Sequence, residues 1–193
     1  GFVHSRGPNV VFLIARGTEA YGSVDVRGLQ LSEALNAACG SDISCVLPTH
    51  RFGHVATLQK KLVIVNKWAM QRLTRTAWQR LERHNRIVLD PVDGKIGNLA
   101  AAHSHGILSS TFDSVSELKR RFPNHDIEFL PHHVNTRIPR VRAQQASFRI
   151  GYFGNLANLE HREDLTEHVG VEVIETNTSK LPQMSWTRAI PNF

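Results

Sequence analysis

Short apolar runs recur along the first 130 residues and alternate with segments of helical spacing. Continuous apolar runs are typical of strands buried on both faces, and they lie at 9–15, 43–47, 62–65, 87–89, 106–110 and 127–130. Between them, apolar positions three and four residues apart predict helices over 27–38, 68–85 and 114–121. This alternation predicts an α/β fold: a Rossmann-like, mostly parallel sheet with helices on both faces.

The pattern changes after residue 130. Residues 131–147 contain two prolines, Pro131 and Pro139, among mostly polar positions, and are predicted to be an extended linker. A strand at 148–154, a helix at 156–168 and a strand at 171–175 follow. We therefore predict a first domain at 1–130 and, at 148–193, the incomplete beginning of a second α/β unit. Fewer than about 50 residues rarely form a stable α/β domain alone.

The composition is that of a globular protein, with 41% hydrophobic and 21% charged residues among 193. It excludes a disordered chain, and no apolar run reaches the roughly 20 residues of a membrane span. The net charge is +6, and residues 51–86 contain nine Lys and Arg residues against one acid, Glu82. Such a surface attracts phosphates, anionic lipid or nucleic acid, so charge alone leaves these partners open.

Other sequence features concern location and partners. Cys39 and Cys45 fit neither a disulfide framework nor a zinc site, so they are predicted to be buried thiols in a reducing compartment. The N-terminal residues lack the apolar segment of a secretory signal, and we expect a cytoplasmic protein. The basic helix with Trp68 and Trp78 is a candidate for peripheral contact with an anionic inner membrane face. Nucleic acid is not an expected partner, because no known binding motif is present.

Candidate ligand-binding residues follow the predicted strands, since ligands of open α/β sheets lie beyond the carboxyl ends of the strands. Gly17 and Gly22 lie in the loop after the first strand, where glycines permit close backbone approach and a helix N-terminus can receive a phosphate. Arg27 adds positive charge. A plain tight turn is the alternative, because neither a Gly-x-Gly-x-x-Gly motif nor a P-loop is present.

Carboxylates and histidines supply further candidates. Asp90 and Asp93 follow the strand at 87–89, where they would accept hydrogen bonds from sugar hydroxyls; a proline-directed turn is the alternative. His50, His103 and His105 lie near strand ends, where an imidazole can act as a general base. For each histidine the alternative is an ordinary structural role. The close pairs at 103/105 and 132/133 lack further ligands at suitable spacing, so no metal site is predicted.

The order of segments along the chain also carries a family resemblance. The segments concerned are Phe12–Gly17, Arg27–Leu35, Ile87–Asp90, Gly106–Ser110 with Phe112, Phe122–Pro123, Ile127–Asn135 and Arg149–Gly154. This order resembles the GT-B glycosyltransferases. The resemblance implies an N-terminal Rossmann-like acceptor domain, a short linker and a second Rossmann-like domain that holds a nucleotide-sugar.

The resemblance implies transfer of a sugar from a nucleotide-sugar donor to a hydroxyl of a carbohydrate or glycolipid acceptor. No cofactor or metal would be needed, because backbone amides and cations would stabilise the leaving diphosphate. Gly154 and Asn155 replace the start of the family's Gly-Arg-Leu and would contact the donor, while Asn135 stands where Asp is usual.

The remaining assignments follow from position. Gly17, Gly22 and Arg27 are expected near the diphosphate, and Asp90 and His50 near the acceptor. Asp93, His103 and His105 are the candidate catalytic residues. The alternative function is a non-catalytic Rossmann-like binding module whose basic surface holds anionic lipid or a protein partner.

Overall fold

The computed structural model describes residues 8–18, 22–40, 42–48, 55, 57–133, 150–153 and 173–176. The chain divides into two compact units, residues 1–135 and 136–193. The division falls within the range 131–147 that the sequence predicts to be a linker.

Unit 1 contains a six-stranded sheet in which every strand is parallel to its neighbours. The strands are β1 (Val10–Ile14), β2 (Ser44–Pro48), β3 (Leu62–Asn66), β4 (Arg86–Asp90), β5 (Gly106–Ser109) and β6 (Asp126–Phe129). Their spatial order is β2-β1-β3-β4-β5-β6. The α/β, Rossmann-like fold class predicted from the apolar runs is confirmed.

Helices connect these strands. They are α1 (Gly22–Val24), a π-helical turn (Asp25–Gln30), α2 (Leu31–Cys39), α3 (Lys67–Arg72), α4 (Arg75–His84), α5 (Asn98–Ala102) and α6 (Phe112–Arg121). From β1 the chain moves to β2 on one side, whereas from β3 it moves through β4 and β5 to β6 on the other. Because parallel crossovers are right-handed, the helices after β1 and those after β3 cover opposite faces of the sheet.

The core lies along β1, β3 and β4. Leu13 of β1 and Val63 of β3 have no exposed surface, and Trp78 and Leu81 of α4 are equally buried beside them. At Gly28, a Cβ atom would lie 3.3 Å from Cγ2 of Ile14. The missing side chain therefore lets the π-helical turn lie close to the end of β1.

The single helix predicted over 68–85 is wrong, because the structure has two helices there. Thr74 adopts an extended conformation with ψ 160° and caps α4, its Oγ1 accepting a hydrogen bond from the Ala77 amide at 3.3 Å. Trp78, on the apolar face of α4, is completely buried. The start of α6 also differs from the prediction. This helix begins at Phe112, two residues earlier than predicted, because Thr111 is its N-cap.

Both cysteines are free thiols. Cys39 is exposed and Cys45 is half-buried, so the prediction that both are buried is wrong for Cys39. Burial raises the pKa of Cys45, and the charge of Lys61 partly offsets this effect.

No described helix has the length and apolar character needed to cross a membrane.

The described part of unit 2 is a parallel pair of strands, β7 (Ile150–Phe153) and β8 (Val173–Thr176). β7 lies within the strand predicted at 148–154, and β8 overlaps the strand predicted at 171–175 and ends one residue beyond it. The helix predicted at 156–168 lies outside the described residues.

Candidate functional site

The topological switch point of the sheet lies between β1 and β3, the neighbouring strands whose following connections run in opposite directions. Ligands of open α/β sheets bind in the crevice at this point. Gly17 follows β1 with φ +80°, in a tight turn where Oγ1 and the amide of Thr18 both donate to the Ala15 carbonyl. Asn66 ends β3 and lies in register beside Asp90 at the end of β4. Polar residues at the ends of three neighbouring strands therefore lie at or beside the switch point.

A buried ion pair lies beside the crevice. Arg27 and Asp90 are each only 1% exposed. The guanidinium donates from Nε to Oδ2 of Asp90 at 2.9 Å and from Nη2 to Oδ1 at 3.1 Å. Its Nη1 donates to the carbonyls of Leu130 and Pro131, at 2.6 and 3.2 Å. Arg27 was predicted to contact the ligand's diphosphate and Asp90 the acceptor. In the structure the two side chains bind each other, so they stabilise the edge of the sheet and do not present free polar groups to a ligand.

Asp93 projects from the turn after β4. Its carboxylate is 76% exposed, and its Oδ1 lies 2.6 Å from Nζ of Lys67. A Cβ atom at Gly94 would lie 3.1 Å from Cδ of Lys67, so this glycine lets the lysine stem cross the turn. Burial alone would raise the pKa of Asp93, but the hydrogen bond and charge of Lys67 lower it overall. The carboxylate is therefore ionised at neutral pH.

The turn that carries Asp93 is strained. Val92 has φ +60°, which is rare for a β-branched residue and typical of functional loops. The turn closes through a 2.7 Å hydrogen bond from the Gly94 amide to the Pro91 carbonyl. Ser110, after β5, donates to the Val92 carbonyl at 3.1 Å. The loops after β4 and β5 therefore hold this conformation together.

His132 and His133 follow β6 at the same edge. Burial and the charge of Arg27 lower the pKa of His132, against the opposite effect of Asp90 and Asp93. His132 is exposed and neutral at neutral pH, which suits a general base. His133 Nε2 lies 3.3 Å from Oε1 of Gln30. Sequence reasoning weighed this pair as a metal site or a general base but did not select it, although its place after the strand at 127–130 was a usable signal.

Two of the three histidines that the sequence offers as bases lie elsewhere. His103 and His105 precede β5 and so lie at the amino edge of the sheet, away from Asp93. His103 Nδ1 is 2.6 Å from Oε2 of Glu82, and His105 Nδ1 accepts a hydrogen bond from the Ile87 amide at 3.0 Å. Their observed contacts are those of structural residues.

The remaining predicted residues are placed as follows. Gly22 begins α1, and a Cβ atom there would have no neighbour within 4 Å, so nothing in the described residues demands a glycine. His50, Gly154 and Asn155 lie outside the described residues.

Asn66 was missed by the sequence reasoning. It is 4% exposed, and its Oδ1 accepts a hydrogen bond from the Trp68 amide at 3.3 Å. If the side-chain amide of Asn66 were turned over, its Nδ2 would face the Trp68 amide, and two hydrogen-bond donors would oppose each other. The orientation with Oδ1 toward Trp68 is therefore fixed. Its Nδ2 finds no partner among the described residues, an arrangement that costs about 1–3 kcal/mol. A polar residue directly after the apolar run 62–65 was the available signal.

Phe112 is exposed at this edge to 72%, the largest exposure of a large apolar side chain in the described part of the chain. Its ring stacks on that of Phe129 at the end of β6, with centroids 3.8 Å apart. Because Phe112 closely follows Ser110, whose hydroxyl contacts the turn of Asp93, the aromatic pair belongs to the same rim of the sheet.

Comparisons of the chain with protein-family models, with curated proteins and with solved structures found no match. Among the described residues, no three His, Cys, Asp or Glu side chains are arranged to hold a metal ion. The function is therefore argued from the geometry of the carboxyl edge.

Proposed function

We propose that the chain is a glycosyltransferase-type protein whose unit 1 binds the acceptor in sugar transfer from a nucleotide-sugar donor. One observation carries this proposal: Asp93, ionised beside Lys67, and His132, neutral and exposed, lie at the same edge of the sheet. Both side chains accept hydrogen bonds from hydroxyl groups, and hydroxyl groups are the dominant polar feature of carbohydrates.

The proposed reaction uses His132 as the general base. Its imidazole takes the proton of the acceptor hydroxyl while the hydroxyl oxygen forms a bond to the anomeric carbon of the donor. The bond from that carbon to the nucleoside diphosphate breaks, and the diphosphate leaves with the electron pair. Asp93 binds a neighbouring hydroxyl and stabilises the imidazolium that forms.

The exposed ring of Phe112 completes the acceptor surface in this proposal. The C–H face of a sugar ring packs on an aromatic ring, while the hydroxyls at its rim are hydrogen-bonded by polar side chains. The stack of Phe112 on Phe129 fixes the orientation of the exposed ring. An exposed aromatic ring beside hydroxyl acceptors therefore favours a carbohydrate over a purely anionic ligand.

The test has two measurements on the full chain. Release of nucleoside diphosphate is measured with a panel of uridine- and guanosine-diphosphate sugars and simple saccharide acceptors. Saturation-transfer NMR measures saccharide binding separately from turnover. We expect D93N and H132Q each to lower turnover at least about 100-fold, the low end for general acid–base catalysis.

The matched control is D126N, because Asp126 is an exposed carboxylate paired with a cation at the opposite edge of the sheet. It should retain both turnover and saccharide binding. Saccharide binding that D93N weakens, even without turnover, supports the acceptor-domain assignment. The absence of binding and turnover across the panel, or equal losses in D93N and D126N, would refute it.

A further inference from the structure

A concavity lies at the amino edge of the sheet, opposite the carboxyl edge described above. It is an open depression of about 590 Å³, formed where the loop before β3 meets the end of α4 and the first residue of β4. Five residues with basic side chains line it: Lys60, Lys61, Arg83, His84 and Arg86. Its volume is within the range of about 300–1,000 Å³ typical of small-molecule sites.

One carboxylate, that of Glu82, also lines the depression, and the carboxylates in and near it do not neutralise all of these cations. Glu82 pairs with His103 at 2.6 Å, and Asp126 pairs with Arg86 at 2.6 Å. Lys60, Arg83 and His84 form no ion pair with the residues that the structure describes. The depression therefore carries an excess of positive charge.

Cations at the end of a helix usually have a structural explanation, because they bind its last carbonyls and offset its dipole. Here other groups already bind two of those carbonyls. The Lys60 amide donates to the His84 carbonyl at 2.7 Å, and Nδ2 of Asn85 donates to the Leu81 carbonyl at 2.9 Å. Asn85 also accepts from the Lys61 amide at 3.1 Å. The backbone and one asparagine thus bind two of the last carbonyls of α4. Lys60 and Arg83, which form no ion pair with the described residues, are left for another partner.

We propose that this amino-edge depression binds a compact phosphate-bearing anion, at a site separate from the carboxyl edge. Lysine and arginine donate charge-assisted hydrogen bonds to phosphate oxygens, and a concave surface lined by one sign of charge concentrates the field on a small anion. The phosphate can belong to a soluble polyphosphate or to a lipid headgroup, which share this chemistry. The proposal does not depend on glycosyl transfer.

The test compares two double variants of the full chain. K60N/R83Q removes two charges from the depression, and asparagine suits the positive φ of +55° at Lys60. R75Q/R80Q removes the same charge from exposed positions of α4 outside the depression. Tripolyphosphate binding is measured by isothermal titration at two salt concentrations. Vesicles of phosphatidylcholine with and without phosphatidylglycerol are co-sedimented with the protein.

We expect K60N/R83Q to weaken binding of tripolyphosphate at least tenfold and R75Q/R80Q to change it less than twofold. If only the vesicles show this difference between variants, the phosphate is that of a headgroup. Equal weakening of tripolyphosphate binding by both variants would show a diffuse basic surface and overturn the site. Tighter binding of duplex RNA than of tripolyphosphate, weakened equally by both variants, would also overturn it. Failure to bind either probe would also overturn it. If K60N/R83Q melts earlier than the control, R83Q against R80Q makes a charge-matched comparison without touching the loop.

Discussion

The buried pair of Arg27 and Asp90 allows a prediction whose sign depends on how the pair is removed. Both side chains are at most 1% exposed, and the bidentate contact satisfies both carboxylate oxygens. In D90N the guanidinium keeps its charge in the interior but loses the charge that balances it. In R27M/D90L neither charge remains, and apolar side chains fill similar volumes.

The magnitudes follow from these contacts. Removing one partner of a buried ion pair lowers the free energy of unfolding by about 3–5 kcal/mol, so we expect D90N to fall in that range. Replacing both partners avoids the isolated charge. The double variant still loses the two hydrogen bonds from Arg27 to the carbonyls of Leu130 and Pro131, worth about 1 kcal/mol each. R27M/D90L should therefore be destabilised by only about 2 kcal/mol and be more stable than D90N.

Urea unfolding followed by tryptophan fluorescence measures this difference. A W186F background confines the signal to Trp68 and Trp78, which lie in unit 1. The urea midpoints of the variants are compared only where the free energy of unfolding depends on urea concentration with the same slope. A change in that slope would mark an altered denatured state. A loss below about 1 kcal/mol in D90N is the range of exposed ion pairs and would refute the burial argument. A double variant less stable than both single variants would refute the argument about the isolated charge.

Three further predictions use the same unfolding assay or NMR. V92G should raise the free energy of unfolding by about 0.5–1 kcal/mol, because glycine removes the strain of the left-handed conformation; V92A retains the Cβ atom and should gain little. W78A should lose about 3–5 kcal/mol, as a large cavity in the core does. W78F should lose less than about 1.5 kcal/mol, because it also removes an indole N–H that has no partner among the described residues. For His132, NMR titration should give a pKa below about 6.5, its ordinary value. Since the folded pKa is the lower one, this contribution to stability is present above pH 6.5 and is lost as the pH falls through the folded pKa.

The strands could be predicted from sequence because a parallel sheet covered on both faces needs continuous apolar runs, and β1 and β3 supply them. The break between α3 and α4 could not be predicted from the same signal. Met70, Leu73, Ala77 and Leu81 keep one apolar face through it, since the cap at Thr74 changes the backbone direction without shifting which residues are buried. The spacing of apolar residues reports which positions are buried. These positions continue along one face through Thr74, although the helix is interrupted there.

The candidate site shows a different limit. Asp90 was placed correctly at a strand end, but its partner Arg27 is 63 residues away, and no local pattern reports a pairing of that separation. A buried carboxylate and an exposed one such as Asp93 look alike in a sequence. For His103 and His105 the sequence did contain the needed signal. Both residues precede the strand at 106–110, and in a parallel sheet the residues before a strand lie at the amino edge.

The division of the carboxyl edge into buried and exposed groups determines how losses of activity there should be interpreted. Arg27 holds the carbonyls of Leu130 and Pro131, and the next residue is His132. Its charge also lowers the pKa of His132, while Asp90 raises it. A variant at Arg27 therefore moves the proposed base and changes its basicity without Arg27 touching a substrate. In R27M/D90L the two opposing charges disappear together, so the pKa of His132 should change less than in R27M alone. Under the proposed function, Arg27 is thus a positioning residue, and Asp93, His132 and Phe112 are the residues proposed to contact the acceptor.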